Sequence, residues 1–298
     1  MDQNLIARLD AYCQKFKISN NKVAAGIGYT ASVLSQWRKG TYKGDSLSVD
    51  AKVSSWLELQ ESRDEAGAVP PVALKRTERI KTAIRIAHEE KFVGLVLGNS
   101  GAGKSYALDE YALANPNTAV VVRCDPTMGL STVVSALARS LGLDTKGRLS
   151  EISDRLVLEL RRRDMVVIFD EVDYLSDSVM EWARIVINDK GGSALVLAGQ
   201  PRIEHRIKGL RADHRQLENR VGMMLLVEDV AESDARQVLE SVWPGLDERV
   251  ASVFVGAARQ SLHILVHHIA LVKRALRQAG DVIPDADIAT ESARFLMR

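Results

Sequence analysis

The chain has 298 residues, 46% of them hydrophobic and 27% charged, and Lys plus Arg (40) nearly equals Asp plus Glu (39). That length suits two or three domains with real cores, while the balanced charge gives no bulk argument for a polyanionic partner, so any such argument must come from local distribution. Two distant cysteines, Cys13 and Cys124, exclude a disulfide framework or zinc ribbon and suit a reducing compartment. No run approaches the about 18 apolar residues of a membrane helix, and Met1-Asp2-Gln3-Asn4 lacks the pattern of a secretory signal.

Leu5, Leu9, Tyr12 and Phe16 recur at helical spacing and predict an amphipathic helix over 4–16. Val23 to Arg38 then has the arithmetic of a helix-turn-helix. Ala24 is small where two helices would touch, Gly28 falls four later at the turn, and Val23, Ile27, Leu34 and Trp37 would pack the pair. Thr30 can cap the second helix. That helix presents Ser32, Ser35, Gln36 and Arg38, with Lys39, Tyr42 and Lys43 nearby, residue types that pair with base edges and phosphates of double-stranded DNA. Residues 1–43 carry seven basic side chains against Asp2 and Asp10, a local net of +5. A small helical protein-binding module is the bland alternative. A further helical pattern covers 49–60, and the polar stretch from Glu61 to Pro71, ending in two prolines, reads as a linker.

Beyond it a helix over about 74–89 leads into the apolar run 92–97, and similar runs follow at 119–122, 165–169, 194–197 and 223–227. Short apolar strands alternating with helices, notably 130–141 and 150–162, predict a parallel sheet covered on both faces. After Glu228 only helices are expected, over 231–242, 246–259, 261–279 and 284–297. The expected division is a DNA-binding domain (1–64), a linker (65–80), an α/β domain (81–230) and a helical cap (231–298).

Gly98-Asn99-Ser100-Gly101-Ala102-Gly103-Lys104-Ser105 matches G-x-x-x-x-G-K-[ST] in full, after a predicted strand and before a predicted helix that continues through Tyr106. Glycines let backbone N–H groups turn around phosphate oxygens, and the helix N-terminus adds positive dipole. Lys104 supplies charge at the β/γ-phosphates and the Ser105 hydroxyl a ligand for Mg2+. The strand Val166–Phe169 ends in Asp170-Glu171, at the edge where open α/β sheets bind ligands. Asp170 suits the Mg2+-positioning role and Glu171 the base that orients water, so ATP and Mg2+ are the expected cofactors. Gln200, after the strand 194–197, could hold that water or the γ-phosphate. Arg220, just before the last strand, would point away from its own site and toward a neighbour's nucleotide, with Arg215 as competitor. Arg161, Arg162 and Arg163 end a predicted helix, where cations favour the dipole. Lys146 and Arg148, in the loop before it, are plausible DNA contacts.

With the phosphate loop, the Asp-Glu strand, the arginine before the last strand and a helical cap in place, the α/β part resembles an AAA+ ATPase. With the helix-turn-helix in front, the whole chain resembles the transposition B proteins of Mu-like phages. The similarity rests on Thr41-Tyr42-Lys43-Gly44-Asp45, against a Lys-Tyr-x-Gly-Asp pattern, on the phosphate loop, on Asp170, Glu171 and Asp173, and on Gly-x-Leu-x-Leu-like segments in the cap. The resemblance implies an AAA+ P-loop sheet with a helical lid behind a small all-α domain. It also implies an ATPase that forms helical homo-oligomers on DNA of little sequence preference, presents that DNA to a transposase and stimulates strand transfer, in the cytoplasm of a bacterial host and without a membrane. Two positions depart from the pattern: Leu262-His263 stands where a sensor arginine is expected, leaving His263 to face the nucleotide, and Gln200 stands where the superfamily has Asn or Thr. The alternatives are a nucleotide-gated helix-turn-helix transcription regulator and a secretion-type ATPase, the latter disfavoured by the lack of a membrane segment.

Overall fold

The computed structural model describes residues 3–67, 69–209, 217 and 220–296. The chain divides into two compact units, residues 1–68 with 270–282 and residues 69–269 with 283–298.

In the first unit, α1 (Gln3–Phe16), α2 (Asn20–Gly26), α3 (Ala31–Arg38) and α4 (Ser46–Gly67) enclose a core of Leu9, Val23, Leu34, Trp37, Val49, Val53 and Leu57, each fully buried. The side chains of Ser19 and Thr30 accept from Lys22 N and Val33 N, capping α2 and α3 as their residue types dictate. Between these helices Gly28 takes φ +74°, the left-handed conformation that turns the chain most cheaply at glycine. Trp37, buried by volume, keeps its one polar atom satisfied: its indole N–H donates to Asp50 Oδ1 at 2.7 Å. Two short helices joined by a tight turn thus stand where the spacing of residues 23–38 puts them. The stretch read as linker is helical in its first half, because Glu61, Arg63, Glu65 and Ala66 are good helix formers and α4 ends only at Gly67, shortly before Pro70-Pro71.

In the second unit, α5 (Lys75–Glu90) precedes β1 (Val93–Gly98), and the chain alternates through α6 (Lys104–Ala114), β2 (Ala119–Arg123), α7 (Leu130–Ser140), α8 (Leu149–Arg163), β3 (Val166–Asp170), β4 (Ala194–Gly199) and β5 (Val221–Val227). Among the described residues these strands form one parallel sheet in the order β2-β3-β4-β1-β5. β1, β3 and β4 are buried along their whole length, which is why they read as unbroken apolar runs. β5 lies at an edge and exposes Met224 and Leu226. Two large clusters fill the faces, one under α7 and α8 and one under α5 and α6.

From the sequence no helix range is specified between β3 and β4. The structure has a 3-10 turn (Val172–Tyr174), α9 (Asp177–Ala183) and a π-helix (Arg184–Lys190), while α10 (Arg202–Gly209) follows β4. Helices Glu232–Val242, Glu248–Ala258, Leu262–Ala279 and Ala286–Ala293 complete the chain as expected. No helix among the described residues is long and apolar enough to cross a membrane.

His268, in the third of these cap helices, is completely buried against Phe254, ring centroids 4.3 Å apart. Its Nε2 donates to Ala289 O at 2.9 Å, while Nδ1 has no hydrogen-bond partner. Burial holds this imidazole below its ordinary value near 6.5. The unfolded chain therefore takes up the proton first, and stability falls as pH drops from about 6.5 through the folded value. We expect the urea midpoint to fall between about pH 7.5 and about pH 5.5 by more in this protein than in His268→Leu. Equal pH sensitivity in both would show that His268 is not responsible.

Candidate nucleotide site

β1 lies between β4 and the edge strand β5, and its C-terminal end turns at Gly98 into the loop that opens α6 at Lys104. Gly101 takes φ +80°, and a Cβ there would lie 2.0 Å from Ser261 Oγ, so only glycine lets the start of the third cap helix close on the loop. Leu262 N–H donates to Gly101 O at 3.0 Å across the same contact. The first N–H groups of α6 have no partner within the helix and face the loop, the arrangement that cradles an anion.

The Lys104 ammonium donates to Gly98 O at 2.6 Å and Asn99 O at 3.0 Å. Burial lowers its pKa, while the charges of Asp170, Asp173 and Glu171 pull it back up. A half-buried cation resting on carbonyls of its own loop, with carboxylates opposite, fits a site that takes phosphate. Asp170 ends β3 at 2% exposure and accepts from Glu171 N–H at 3.0 Å. Glu171 itself sits in the left-handed region (φ +58°) with an exposed side chain, a strained conformation typical of functional positions. β4 separates β3 from β1, so Asp170 lies two strand spacings from the loop, about 10 Å. Ser105, half-buried in the first turn of α6, faces the same edge of the sheet. Mg2+ keeps few protein ligands and takes the rest from phosphate and water, so Ser105 and Asp170 suffice; no cluster of three metal-ligating side chains exists among the described residues.

Gln200 follows β4 between these two points, with its side chain exposed and its N–H donating to Asp173 Oδ2 at 2.8 Å. Asp173, 6% exposed, also receives Arg202 Nε at 2.7 Å. The third acid of the Asp-Glu-x-Asp stretch thus fastens the end of β4. Tyr106 is 44% exposed on α6 and Ser100 is exposed on the loop. His263 is exposed beside Leu262, yet its ring stacks 4.4 Å from His267, which makes it a neighbour of the loop without a recorded bond to it. Arg220 stands at the opposite edge: its carbonyl accepts from Val93 N–H, at the start of β1, roughly 17 Å of strand away from the phosphate loop. No arginine side chain spans that distance, so Arg220 cannot serve its own site. Arg215 lies outside the described residues.

An AAA domain family model matches residues 87–207, the segment from the end of α5 through α10. Solved structures of similar fold include the Aeropyrum pernix ORC2 protein (TM-score 0.61, 14% identity, 78% of this chain and 71% of that one) and the Thermotoga maritima RuvB Holliday junction branch migration motor (TM-score 0.52, 16%, 76% and 70%). The chain has the AAA+ fold. Over 84% of its length it is also 26% identical to 88% of the Mu-like prophage FluMu DNA transposition protein B of Haemophilus influenzae. Over 87% it is 24% identical to 85% of the ATP-dependent target DNA activator B of Escherichia phage Mu. The resemblance to the transposition B proteins thus holds along most of the chain.

One residue of the AAA+ site escaped the sequence reading. Arg76, in the first turn of α5 and within the expected linker, donates to Ala102 O in the phosphate loop (3.1 Å), to Glu228 O (3.3 Å) and Asp229 O (2.7 Å) after β5, and to Asp234 Oδ2 (2.8 Å) at the start of the first cap helix. Nothing local marks it, because its partners lie 26 to 158 positions away. Asn99 makes a parallel link, its amide donating to Asp229 Oδ1 at 2.6 Å.

The expected DNA contacts divide. Ser32, Gln36, Lys39 and Lys43 are exposed and Ser35 is half-buried. Arg38 is half-buried, and its guanidinium donates to Asn20 Oδ1 (2.6 Å) and pairs with Asp10 Oδ1 (3.2 Å), two exposed side chains, linking α3 to α2 and α1. Lys146 and Arg148 are exposed in the loop before α8. Arg161 donates to Lys190 O, while Arg162 and Arg163 pair with Glu159, so this triplet is structural.

Lys104→Ala should abolish binding of a fluorescent ATP analogue, whereas Asp173→Asn should leave it intact and lower stability by about 1–3 kcal/mol through the loss of a buried charged acceptor. Reversal of the two phenotypes would mean that the phosphate site has been misplaced.

Proposed function

We propose that the protein hydrolyses ATP and uses the nucleotide state to control assembly on target DNA, which it delivers to a transposase. The observation that carries this reading is a complete phosphate loop facing Asp170 and Glu171 on the AAA+ sheet of a chain that resembles ATP-dependent target DNA activators along most of its length. Lys104 and the loop N–H groups bind the β- and γ-phosphates, and Ser105 and Asp170 hold Mg2+. Glu171, exposed at the strand end, polarises the attacking water, and Gln200 keeps it in line. Arg220 acts on the nucleotide of an adjoining protomer, where such arginines accelerate phosphoryl transfer by about 10³–10⁵.

The helix-turn-helix supplies the DNA grip through Ser32, Ser35, Gln36, Lys39 and Lys43, with Lys146 and Arg148 as further cations on the ATPase unit. Contacts of this kind go largely to phosphates and carry little sequence information. Repeated along a helical homo-oligomer they give tight but unspecific binding, in the cytoplasm of a bacterial host. The names of the relatives favour this reading over an operator-binding transcription regulator.

Glu171→Gln tests the catalytic part: it should hydrolyse ATP at least about a hundredfold more slowly yet form longer-lived oligomers on random-sequence duplex, visible by electron microscopy. Full turnover would remove Glu171 from the mechanism, and binding confined to one particular sequence would favour the regulator. Mixing Arg220→Ala with Lys104→Ala protein should recover part of the ATPase activity that each lacks alone, because one contributes the nucleotide and the other the arginine. Absence of recovery at every ratio counts against the trans role.

A further inference from the structure

Arg184 is 4% exposed and is wrapped by carboxylates: its Nε donates to both Glu181 oxygens at 3.1 Å, and its Nη1 pairs with Asp189 Oδ2. The remaining oxygen of Asp189, Oδ1, lies 3.2 Å from Arg220 Nη2. Asp189 therefore divides its two oxygens between a buried arginine and an exposed one, since Arg220 keeps 57% of its side chain in solvent.

The backbone makes this possible. Arg184 and Asp189 are the first and sixth residues of the π-helix Arg184–Lys190. In an α-helix, positions five apart point about 140° away from each other. The i→i+5 winding of a π-helix instead stacks the sixth residue one turn above the first. A rare and locally unfavourable helix form thus brings these two charges together. A buried arginine held by two carboxylates is also a poor source of stability compared with apolar packing of the same volume, because all three charges lose hydration. What the arrangement does provide is direction: with Oδ2 occupied by Arg184, Oδ1 points one way, toward Arg220.

We propose that Asp189, fixed by Arg184 and the π-helix, is a positioning residue that aims Arg220 at the nucleotide of the adjoining protomer. This deepens the trans reading of Arg220 given above and rests on it. A long arginine side chain gives up much of its rotamer freedom when it is ordered. Here its backbone is tied to β1 through the Val93 N–H and one guanidinium nitrogen to Asp189, so most of that ordering is complete before a neighbour arrives, while the other nitrogens stay available.

The test uses the full chain in a mixture of two kinds of protomer, an arginine donor (Lys104→Ala) and a nucleotide holder (Arg220→Ala). Asp189→Asn is added to one kind at a time. In the donor it should lower the recovered kcat about tenfold with KM for ATP unchanged, and Asp189→Glu should restore part of the loss. In the nucleotide holder, which has no Arg220 to aim, it should change nothing. Equal losses in both arms would mark Asp189 as merely structural, and no loss in the donor arm would remove its positioning role while leaving Arg220 in place. If the parent mixture itself shows no recovery, the trans reading of Arg220 falls and the role of Asp189 falls with it.

Discussion

A half-buried cation and a buried carboxylate face each other across one strand of the sheet. Lys104 is lowered by burial and rests on its own loop carbonyls, while Asp170 is 2% exposed with one oxygen taken by the Glu171 N–H. At about 10 Å their direct attraction is weak, and neither satisfies the other. A phosphate chain with its divalent cation fits that gap, accepting from Lys104 and the helix N-terminus on one side and meeting Asp170 on the other. The position of every other element in the second unit can be understood from the need to hold these two groups apart at a fixed spacing: three fully buried strands do so more rigidly than any loop.

The same loop is also the anchor of the cap. Arg76, Asn99 and the Leu262 N–H tie it to the end of β5, to the first cap helix and to the start of the third. These bonds end on backbone carbonyls and carboxylates that cannot move independently of the loop. Arg259 and Gln260, consecutive non-glycine residues in the left-handed region, bend the chain so that Ser261 and Leu262 reach Gly101. Strain of this kind persists only where the surrounding packing over-determines it. The phosphate loop and the cap are thus joined by direct hydrogen bonds that do not involve His263.

How much of this was legible depended on the range of the interactions involved. The phosphate loop and the Asp-Glu strand end are local patterns whose chemistry is written in consecutive residues, and the buried strands announce themselves because nothing polar fits between two covered faces. The two short helices joined by a tight turn were legible from small, apolar and capping residues within 16 positions. Arg76 was invisible because its bonds are long-range, and the pairing of Arg38 with Asp10 and Asn20 was equally unreadable from a basic residue on a short helix. The π-helix has no sequence signature at all. Its residues were given no range of their own among the helices expected between the strands, although it carries the buried Arg184.

On the proposed reading, the placement of Arg220 links activity to DNA affinity. The sheet puts it at the edge opposite its own phosphate loop, so a site that uses this arginine is completed by a neighbour. Residues 1–43, with a local net charge of +5, would then meet DNA mainly through its phosphates. Joined protomers convert each further grip into an intramolecular event, so avidity grows without any new contact type. On that reading the interface that completes the catalytic site is also the one that strengthens binding, and hydrolysis, by removing the γ-phosphate that both protomers would contact, would weaken the two together.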